Sequence, residues 1–266
     1  MIFLQVPGLQ RVIIMSSSIF PLEIEGMILD ILGEDDGGHS ALKTCSLVCR
    51  AFLHICRKHV FESIVLNAIS SPTTSAFERL LRKTPEIADY IRRLNFTIQV
   101  ADLANPSIQE SLKQISRLKF LNVQAESSLD WSNNPIRPVL LHLLHLPTLT
   151  HFIMNNIKKF VVSDLIPCVN LKYLDVSALR IVAAENTFPA TFPGHSIQLN
   201  EFVAENESPA AIMKLWTARR PDGQPIIDFK SLSKISVDIY DSYDCEASQE
   251  LFRHCRALTN VYITCK

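Results

Sequence analysis

The sequence predicts an α/β solenoid, in which a small block of helices precedes a series of repeats whose strands form one parallel sheet. Three observations predict it. A six-residue pattern, apolar at its first, fourth and sixth positions, recurs eight times between residues 61 and 263. All 14 prolines and all 7 glycines lie outside these segments, as strands require, because proline cannot donate to a ladder and glycine weakens it. The residues before the first repeat instead follow helical spacing.

The repeated pattern is clearest in residues 171–176, where Leu171, Leu174 and Val176 are apolar and Asp175 separates the last two. The other seven copies occupy residues 61–66, 91–96, 118–123, 149–154, 199–204, 232–237 and 258–263. Alternation of apolar and polar residues is typical of a strand with one buried face. Recurrence every 22 to 33 residues indicates a solenoid, and the pattern matches the strand half of a leucine-rich repeat. One open parallel sheet in an ordinary α/β domain is the alternative.

The segments between the strands divide into predicted helices and loops. Helical spacing of apolar residues predicts return helices around Phe77, Ile108, Leu143, Leu215 and Phe252. Residues 177–198 and 219–229 contain prolines and glycines that a regular helix does not accept, so loops are expected there. Loops on a repeat scaffold often carry recognition, although a plain long connection explains them equally well.

Composition limits the classes of function. The chain has 266 residues, of which 47% are hydrophobic and 20% charged, and a net charge of −1, which argues against bulk attraction to nucleic acid or membrane. Its 7 cysteines are unevenly spaced, which favours free thiols in a reducing compartment. Together these features predict a cytoplasmic or nuclear protein that binds neither nucleic acid nor membrane. We expect a disordered tail at 1–18, a helical domain at 19–61 and a repeat domain at 62–266.

The helical block is too small to bury all of its apolar residues. Apolar residues in 22–32 recur at mostly helical spacing after Pro21, and glycines at 33, 37 and 38 end this first helix. Two further helices follow, with Ser40 as the predicted N-cap of the second. Leu42, Cys45, Cys56 and Val60 are expected to form the core of the block or to pack on the first repeat. Three short helices cannot enclose a large core, so the remaining apolar residues are expected to meet another surface.

The same block resembles an F-box. The resemblance rests on residues 20–24, on Ile28, Ile31 and Leu32, and on residues 45–52, which read Cys-Ser-Leu-Val-Cys-Arg-Ala-Phe. Residues 57–64 resemble the passage from the third helix into the first strand in F-box proteins of fungi. The family usually opens with Leu-Pro, which is Phe20-Pro21 here, and often has tryptophan where this chain has Phe52. Both changes keep an apolar contact.

The resemblance implies an adaptor of a Skp-cullin-F-box ubiquitin ligase. In that family the F-box binds a Skp-type linker protein, which in turn binds a cullin, and the following domain binds a protein substrate. Carried across by position, the linker-binding candidates are Phe20, Pro21, Leu22, Ile24, Leu47, Val48 and Phe52. Apolar anchors on a domain too small to bury them are interface candidates on physical grounds also. The alternative is that they form the core of the block or pack on the first repeat.

The outward positions of the strands give the candidates for substrate binding. Alternation places Tyr173 and Asp175 on one strand, and Glu201, Val203 and Glu205 on the next, on the same face of the sheet. The carboxylates are expected to form an acidic patch that receives a basic or amide-rich target segment, with Tyr173 and Val203 as apolar anchors. The alternative is a solvated face that serves solubility.

The sequence indicates no catalytic or metal site. Cys45, Cys49 and Cys56 lack the paired spacing of zinc ligands, and no phosphate-binding loop or nucleophile elbow occurs. We therefore expect no enzyme activity and no cofactor. One alternative function is a leucine-rich-repeat scaffold that binds a partner without engaging the ligase. An enzyme with a scattered site is another, and it would require a deep pocket with perturbed acids and bases.

Overall fold

A computed structural model of the protein describes residues 21–35, 38–67, 72–99, 106–177, 180–182, 194–204, 209–240 and 242–266. The predicted tail at 1–18, Phe20 and Glu205 lie outside these residues. The chain divides into two compact units between Val60 and Phe61. The first is helical and the second contains the sheet.

Three helices make up the first unit: α1 (Leu22–Glu34), α2 (Gly38–Cys45) and α3 (Arg50–Val60). Pro21 precedes α1, and its carbonyl accepts hydrogen bonds from the amides of Ile24 and Glu25. Glu23 and Glu25 lie in the first turn of α1, where the helix dipole favours anions. Because α2 begins at Gly38, the predicted N-cap at Ser40 is wrong, and Ser40 lies inside the helix.

The core of the helical unit is small. Its fully buried apolar residues are Leu29, Leu42 and Cys56, one from each helix. Five partly buried side chains pack against them: Leu32, Cys45, Phe52, Ile55 and Val60. The predicted core positions at 42, 45, 56 and 60 are therefore confirmed. Phe52, predicted as a linker contact, belongs partly to this core.

The second unit is built on one parallel sheet of nine described strands, eight of which pair in chain order. These strands are β1 (Ser63–Leu66), β2 (Arg93–Ile98), β3 (Phe120–Asp130), β4 (His151–Val161), β5 (Tyr173–Ser177), β8 (Glu201–Ala204), β10 (Lys234–Ile239) and β11 (Asn260–Cys265). Each pairs with the next in the order just given. The predicted α/β class with a parallel sheet is confirmed.

The strands pair in the register that the repeated pattern predicts. The fourth position of every copy lies in one row across the sheet, from Ile64 at one edge to Val261 at the other. Six members of this row are at most 1% exposed: Leu94, Leu121, Phe152, Leu174, Phe202 and Ile235. The two edge members are less buried, since each has a neighbouring strand on one side only.

Helices connect most of the strands, and the predicted return helices are confirmed. They are α4 (Pro72–Lys83), α5 (Pro106–Lys113), α6 (Arg137–Leu144), α7 (Pro209–Thr217) and α8 (Ser242–His254). Short 3₁₀ helices cover Pro85–Tyr90, Val162–Leu165 and Phe229–Ser231. Apolar residues from these segments pack with the inward strand residues in one hydrophobic core.

The two predicted loops contain short strands. β6 (Arg180–Val182) pairs with the extended end of β4, and β7 (Ile197–Gln198) pairs with β9 (Ile227–Asp228). The extension of β4 passes through two residues with positive φ, Asn156 and Lys159. Residues 183–193, part of the first predicted loop, lie outside the described residues.

Candidate protein-interaction surfaces

The helical unit exposes a set of large apolar side chains. They lie on α1 and in the turn between α2 and α3: Ile24, Met27, Ile28, Ile31, Leu47 and Val48. Leu47 is 81% exposed and Val48 is 53% exposed. The four residues of α1 are related by steps of three and four positions, from 24 to 27 to 31 and from 24 to 28 to 31, which places them on one side of the helix. Exposed apolar surface of this kind typically marks an interaction site.

The predicted linker-binding residues have different environments. Ile24, Leu47 and Val48 are exposed, and so is Pro21. Phe52 is only partly accessible because it packs against the core of the unit. The backbone of Leu22 opens α1, whereas its side chain and the whole of Phe20 lie outside the described part of the chain.

A row of rings crosses the outward face of the sheet. The guanidinium carbon of Arg93 lies 4.4 Å from the centroid of the Phe120 ring on the next strand. The Phe120 and His151 centroids are 6.2 Å apart, and the His151 and Tyr173 rings stack at 5.6 Å. All four side chains occupy the first outward position of their strands and are paired in register. Ring contacts at these distances stabilise neighbouring strands.

A row of amides lies beside the row of rings. The Nδ2 of Asn122 donates to the Oδ1 of Asn95 at 3.1 Å on the adjacent strand. The Oδ1 of Asn122 is buried and accepts no hydrogen bond from the described residues. Its register partner on the other side is Ile153, whose side chain has no donor. The row therefore stops at β4 with one acceptor unsatisfied.

The predicted acidic patch is compensated in part. Glu201 forms an ion pair with Lys234 on the next strand, and Asp175 accepts a hydrogen bond from the hydroxyl of Ser177 at 2.7 Å. Val203, predicted as an anchor, is 9% exposed and is counted among the buried residues. Tyr173 is partly exposed and stacks on His151. Glu205 lies outside the described residues, so the extent of the patch stays a prediction.

The electrostatics of the ring row depend on His151. Burial holds the pKa of His151 below its usual value, and the positive charge of Arg93 lowers this pKa further. The carboxylate of Glu201 acts in the opposite direction. The lowered pKa favours the neutral ring at pH 7, and this ring stacks on Tyr173 and is tilted by 33° from the plane of Phe120.

Three cysteines lie in packed parts of the described structure: Cys56 and Cys168 are buried and Cys255 is partly buried, whereas Cys245 and Cys265 are exposed. Burial raises the pKa of Cys56 above its usual value and raises that of Cys255 to about 11. The pKa of Cys168 is raised further, mainly by burial. A raised pKa reduces the thiolate fraction at neutral pH. Among the described residues, no group of three or more His, Cys, Asp or Glu gathers as metal ligands would.

Sequence reasoning missed several surface residues. Met27, Ile28 and Ile31 were not among the predicted linker contacts, although each is exposed on α1. Their helical spacing gave the signal, but spacing alone does not say which side of a helix is covered. Arg93 and Phe120 were not among the predicted substrate-binding residues. Their contact across two strands required the register.

Comparison of the chain with protein-family models and with curated protein sequences gives no match. None of the helices in the described residues has the length and hydrophobicity needed to cross a bilayer.

Proposed function

We propose that the chain is a non-catalytic substrate-recognition adaptor of a Skp-cullin-F-box ubiquitin ligase. The helical unit is an F-box that binds the Skp-type linker protein, and through it a cullin. The sheet unit is an irregular leucine-rich-repeat solenoid, and its outward face binds a protein target. The adaptor acts in the cytoplasm or nucleus by holding the target near a ubiquitin-loaded enzyme, which raises the effective concentration of the target.

One observation carries the adaptor proposal. In the described part of the helical unit, six large apolar side chains are exposed, whereas the fully buried apolar cluster consists of Leu29, Leu42 and Cys56. Three of the exposed residues, Ile24, Leu47 and Val48, stand at positions that the F-box resemblance assigns to the linker. An exposed apolar group loses contact with water when a partner covers it, which is worth roughly 25 cal/mol per Å² before the costs of association.

Support for the solenoid comes from the sheet. Eight parallel strands follow one another in chain order, and the same position of each repeat forms one row. Each repeat adds one strand to its predecessor, and most connections contain a helix. This arrangement fits repeats that bury their apolar faces against neighbours. An ordinary doubly wound sheet would reverse its strand order.

The test is affinity purification of the chain from cells with the proteasome blocked. The adaptor proposal predicts co-purification of the linker protein, a cullin and ubiquitinated targets. A change of Val48 to Asp should remove the linker and cullin while targets stay bound. Recovery of targets with no linker from the unaltered chain would instead favour a repeat scaffold that does not engage the ligase.

A further inference from the structure

We propose that the outward face of β2, β3 and β4 binds an acidic segment of the target protein. The carboxylates of that segment meet the guanidinium of Arg93 and the edges of the Phe120, His151 and Tyr173 rings. The proposal rests on the proposed role of the sheet in target binding and adds the chemistry of the bound segment.

The ring row offers edges to a partner. His151 lies between Phe120 and Tyr173, and its stacking on Tyr173 at an interplanar angle of 24° uses the facing surfaces of both rings. Aromatic rings are negative on their faces and positive at their edges. Rings that turn their faces to one another across a sheet leave edges toward a partner above it. The C–H edges of Phe120 and Tyr173 attract carboxylate and carbonyl oxygens, and the edge of His151 has one nitrogen, Nδ1, already 2.9 Å from the hydroxyl oxygen of Thr150.

Arg93 contributes a unit positive charge to the site, in contrast to the partial positive charges of the ring edges. Its side chain is exposed, and its guanidinium lies over Phe120. Among the described residues, no side chain or carbonyl accepts a hydrogen bond from this guanidinium. Stacking on a ring holds the guanidinium plane while its N–H groups stay available, and those groups fit a carboxylate in bidentate geometry. The cation is therefore already positioned for an acidic group.

The surrounding charges favour an anion at this end of the sheet. The first three outward positions of β2, β3 and β4 contain no carboxylate: Arg93, Asn95, Thr97, Phe120, Asn122, Gln124, His151, Ile153 and Asn155. Lys119, exposed, directly precedes β3. Acidic side chains border these positions on two sides. Glu126 follows Gln124 at the next alternate position of β3 and accepts a hydrogen bond from Gln99 at 2.6 Å. Asp175 on β5 and Glu201 on β8 lie on the other side, and Glu201 is ion-paired with Lys234. The cationic end of this face is therefore bounded by Glu126 along β3 and by Asp175 and Glu201 beyond β4.

The amides at the second and third outward positions add hydrogen-bonding groups for the backbone of the bound segment. Asn95, Gln124 and Asn155 are at least partly accessible, and each amide offers both donors and an acceptor. Such groups pair with the backbone of an extended segment without selecting its side chains. The cationic ring row then selects for acidic residues.

The test uses the full chain and fluorescence anisotropy with three labelled probes: an oligoglutamate peptide, an oligolysine peptide and an oligouridine RNA. The oligoglutamate peptide should bind most tightly. Arg93→Gln should weaken its binding roughly fivefold at low salt and less at high salt, because salt screens exposed charges. The matched control, Arg79→Gln on the exposed surface of α4, should bind as the unaltered chain does.

Two further variants separate the ring contribution from net charge. Phe120→Leu keeps apolar volume but removes the ring edge and the support of Arg93, so binding should weaken at low and high salt alike. Glu201→Gln removes a carboxylate at the border and should strengthen binding of the oligoglutamate peptide. Circular dichroism melting curves of each variant check that the sheet unit is folded.

Equal or tighter binding of the oligolysine peptide would overturn the proposal, as would unchanged oligoglutamate binding by a folded Arg93→Gln variant. Tighter binding of the RNA with the same dependence on Arg93 would also overturn it, in favour of a nucleic-acid partner. Linker binding is measured separately on the same preparations. A chain that binds the linker but not the peptide contradicts this proposal alone, whereas the reverse result contradicts the proposed adaptor role alone.

Discussion

His59 and Asp30 connect the third helix of the helical unit to the first: Nε2 of His59 lies 2.8 Å from Oδ1 of Asp30. The Nζ of Lys58 lies 2.5 Å from the same oxygen. Hydrogen bonds from Lys58 and then His59 hold the pKa of the Asp30 carboxyl below its usual value. A lowered pKa contributes stability above the usual carboxyl pKa of about 4, and that stability is lost as pH falls through the folded-state value.

The packing of α3 on one side of α1 predicts that alanine substitutions at two glycines of α1 change the stability of the helical unit in opposite directions. A Cβ on Gly33 would overlap the imidazole of His59, whereas a Cβ on Gly26 would meet no atom within 4 Å. Gly33→Ala should destabilise the helical unit by about 1–3 kcal/mol, as overpacking does. Gly26→Ala should stabilise it by about 0.5–1 kcal/mol because alanine is the better helix former. Hydrogen exchange of amides in α1 and α3 measures both, and equal effects would contradict the packing of α1 on α3.

The alternation of buried and outward residues along β5 predicts that alanine substitutions at two adjacent positions lower the free energy of unfolding by unequal amounts. Leu174 is fully buried, so Leu174→Ala should destabilise the sheet unit by roughly 2–5 kcal/mol. Asp175 points to the outward face and accepts a hydrogen bond from Ser177. Its replacement by alanine should cost no more than about 1 kcal/mol. Urea unfolding measures both variants. A cost for Asp175→Ala as large as that for Leu174→Ala would refute the strand phase.

The unsatisfied Oδ1 of Asn122 predicts that the amide row can be extended. An orphaned buried acceptor costs about 1–3 kcal/mol. Ile153→Asn places a donor beside it and should give a variant about 1 kcal/mol more stable than Ile153→Ala. In an Asn122→Ala background that difference should disappear, which a double-mutant cycle tests by chemical denaturation. A difference that persists without Asn122 would show that the new amide acts elsewhere.

The pKa of His151 should respond in opposite directions to its two charged neighbours. Arg93→Gln removes a positive charge and should raise the pKa, whereas Glu201→Gln removes a negative charge and should lower it. Since burial lowers the pKa of His151 in the folded state, stability from the neutral ring is present above about pH 6.5 and declines as pH falls through the folded-state pKa. NMR titration of the imidazole measures each shift. A pKa of His151 unchanged in both variants would contradict the ring row.

The positions of the strands and their buried faces could be predicted from the sequence, because both follow from the order of apolar and polar residues within each repeat. Each repeat alternates apolar and polar residues, and its apolar positions recur often enough to fix the phase. The buried row from Leu94 to Ile235 follows directly. The extensions of β3 and β4 could not be predicted in this way. They contain polar stretches around Ser127 and Asn156, and their pairing depends on positive φ values at two residues of β4.

The surfaces were harder to predict than the core. Ile28 and Ile31 carry the same helical signal as buried Leu29 and partly buried Leu32, and only the packing of three helices shows which side is exposed. The ion pair of Glu201 with Lys234 joins residues on neighbouring strands that are far apart in the sequence. Charge patches on a sheet depend on such neighbours, so individual acidic residues do not define them.

The proposed adaptor binds a Skp-type linker through the exposed apolar residues of its helical unit. Isothermal titration calorimetry of the purified chain with the linker tests this binding most directly. The double variant Pro21→Ala/Val48→Asp should stay folded, because both residues are exposed, and should bind at least about thirtyfold more weakly, as when a hot spot is lost. Val65→Asp changes a valine that is 50% exposed in the sheet unit and should bind like the unaltered chain. No measurable binding by the unaltered chain, or full binding by the folded double variant, would contradict the account.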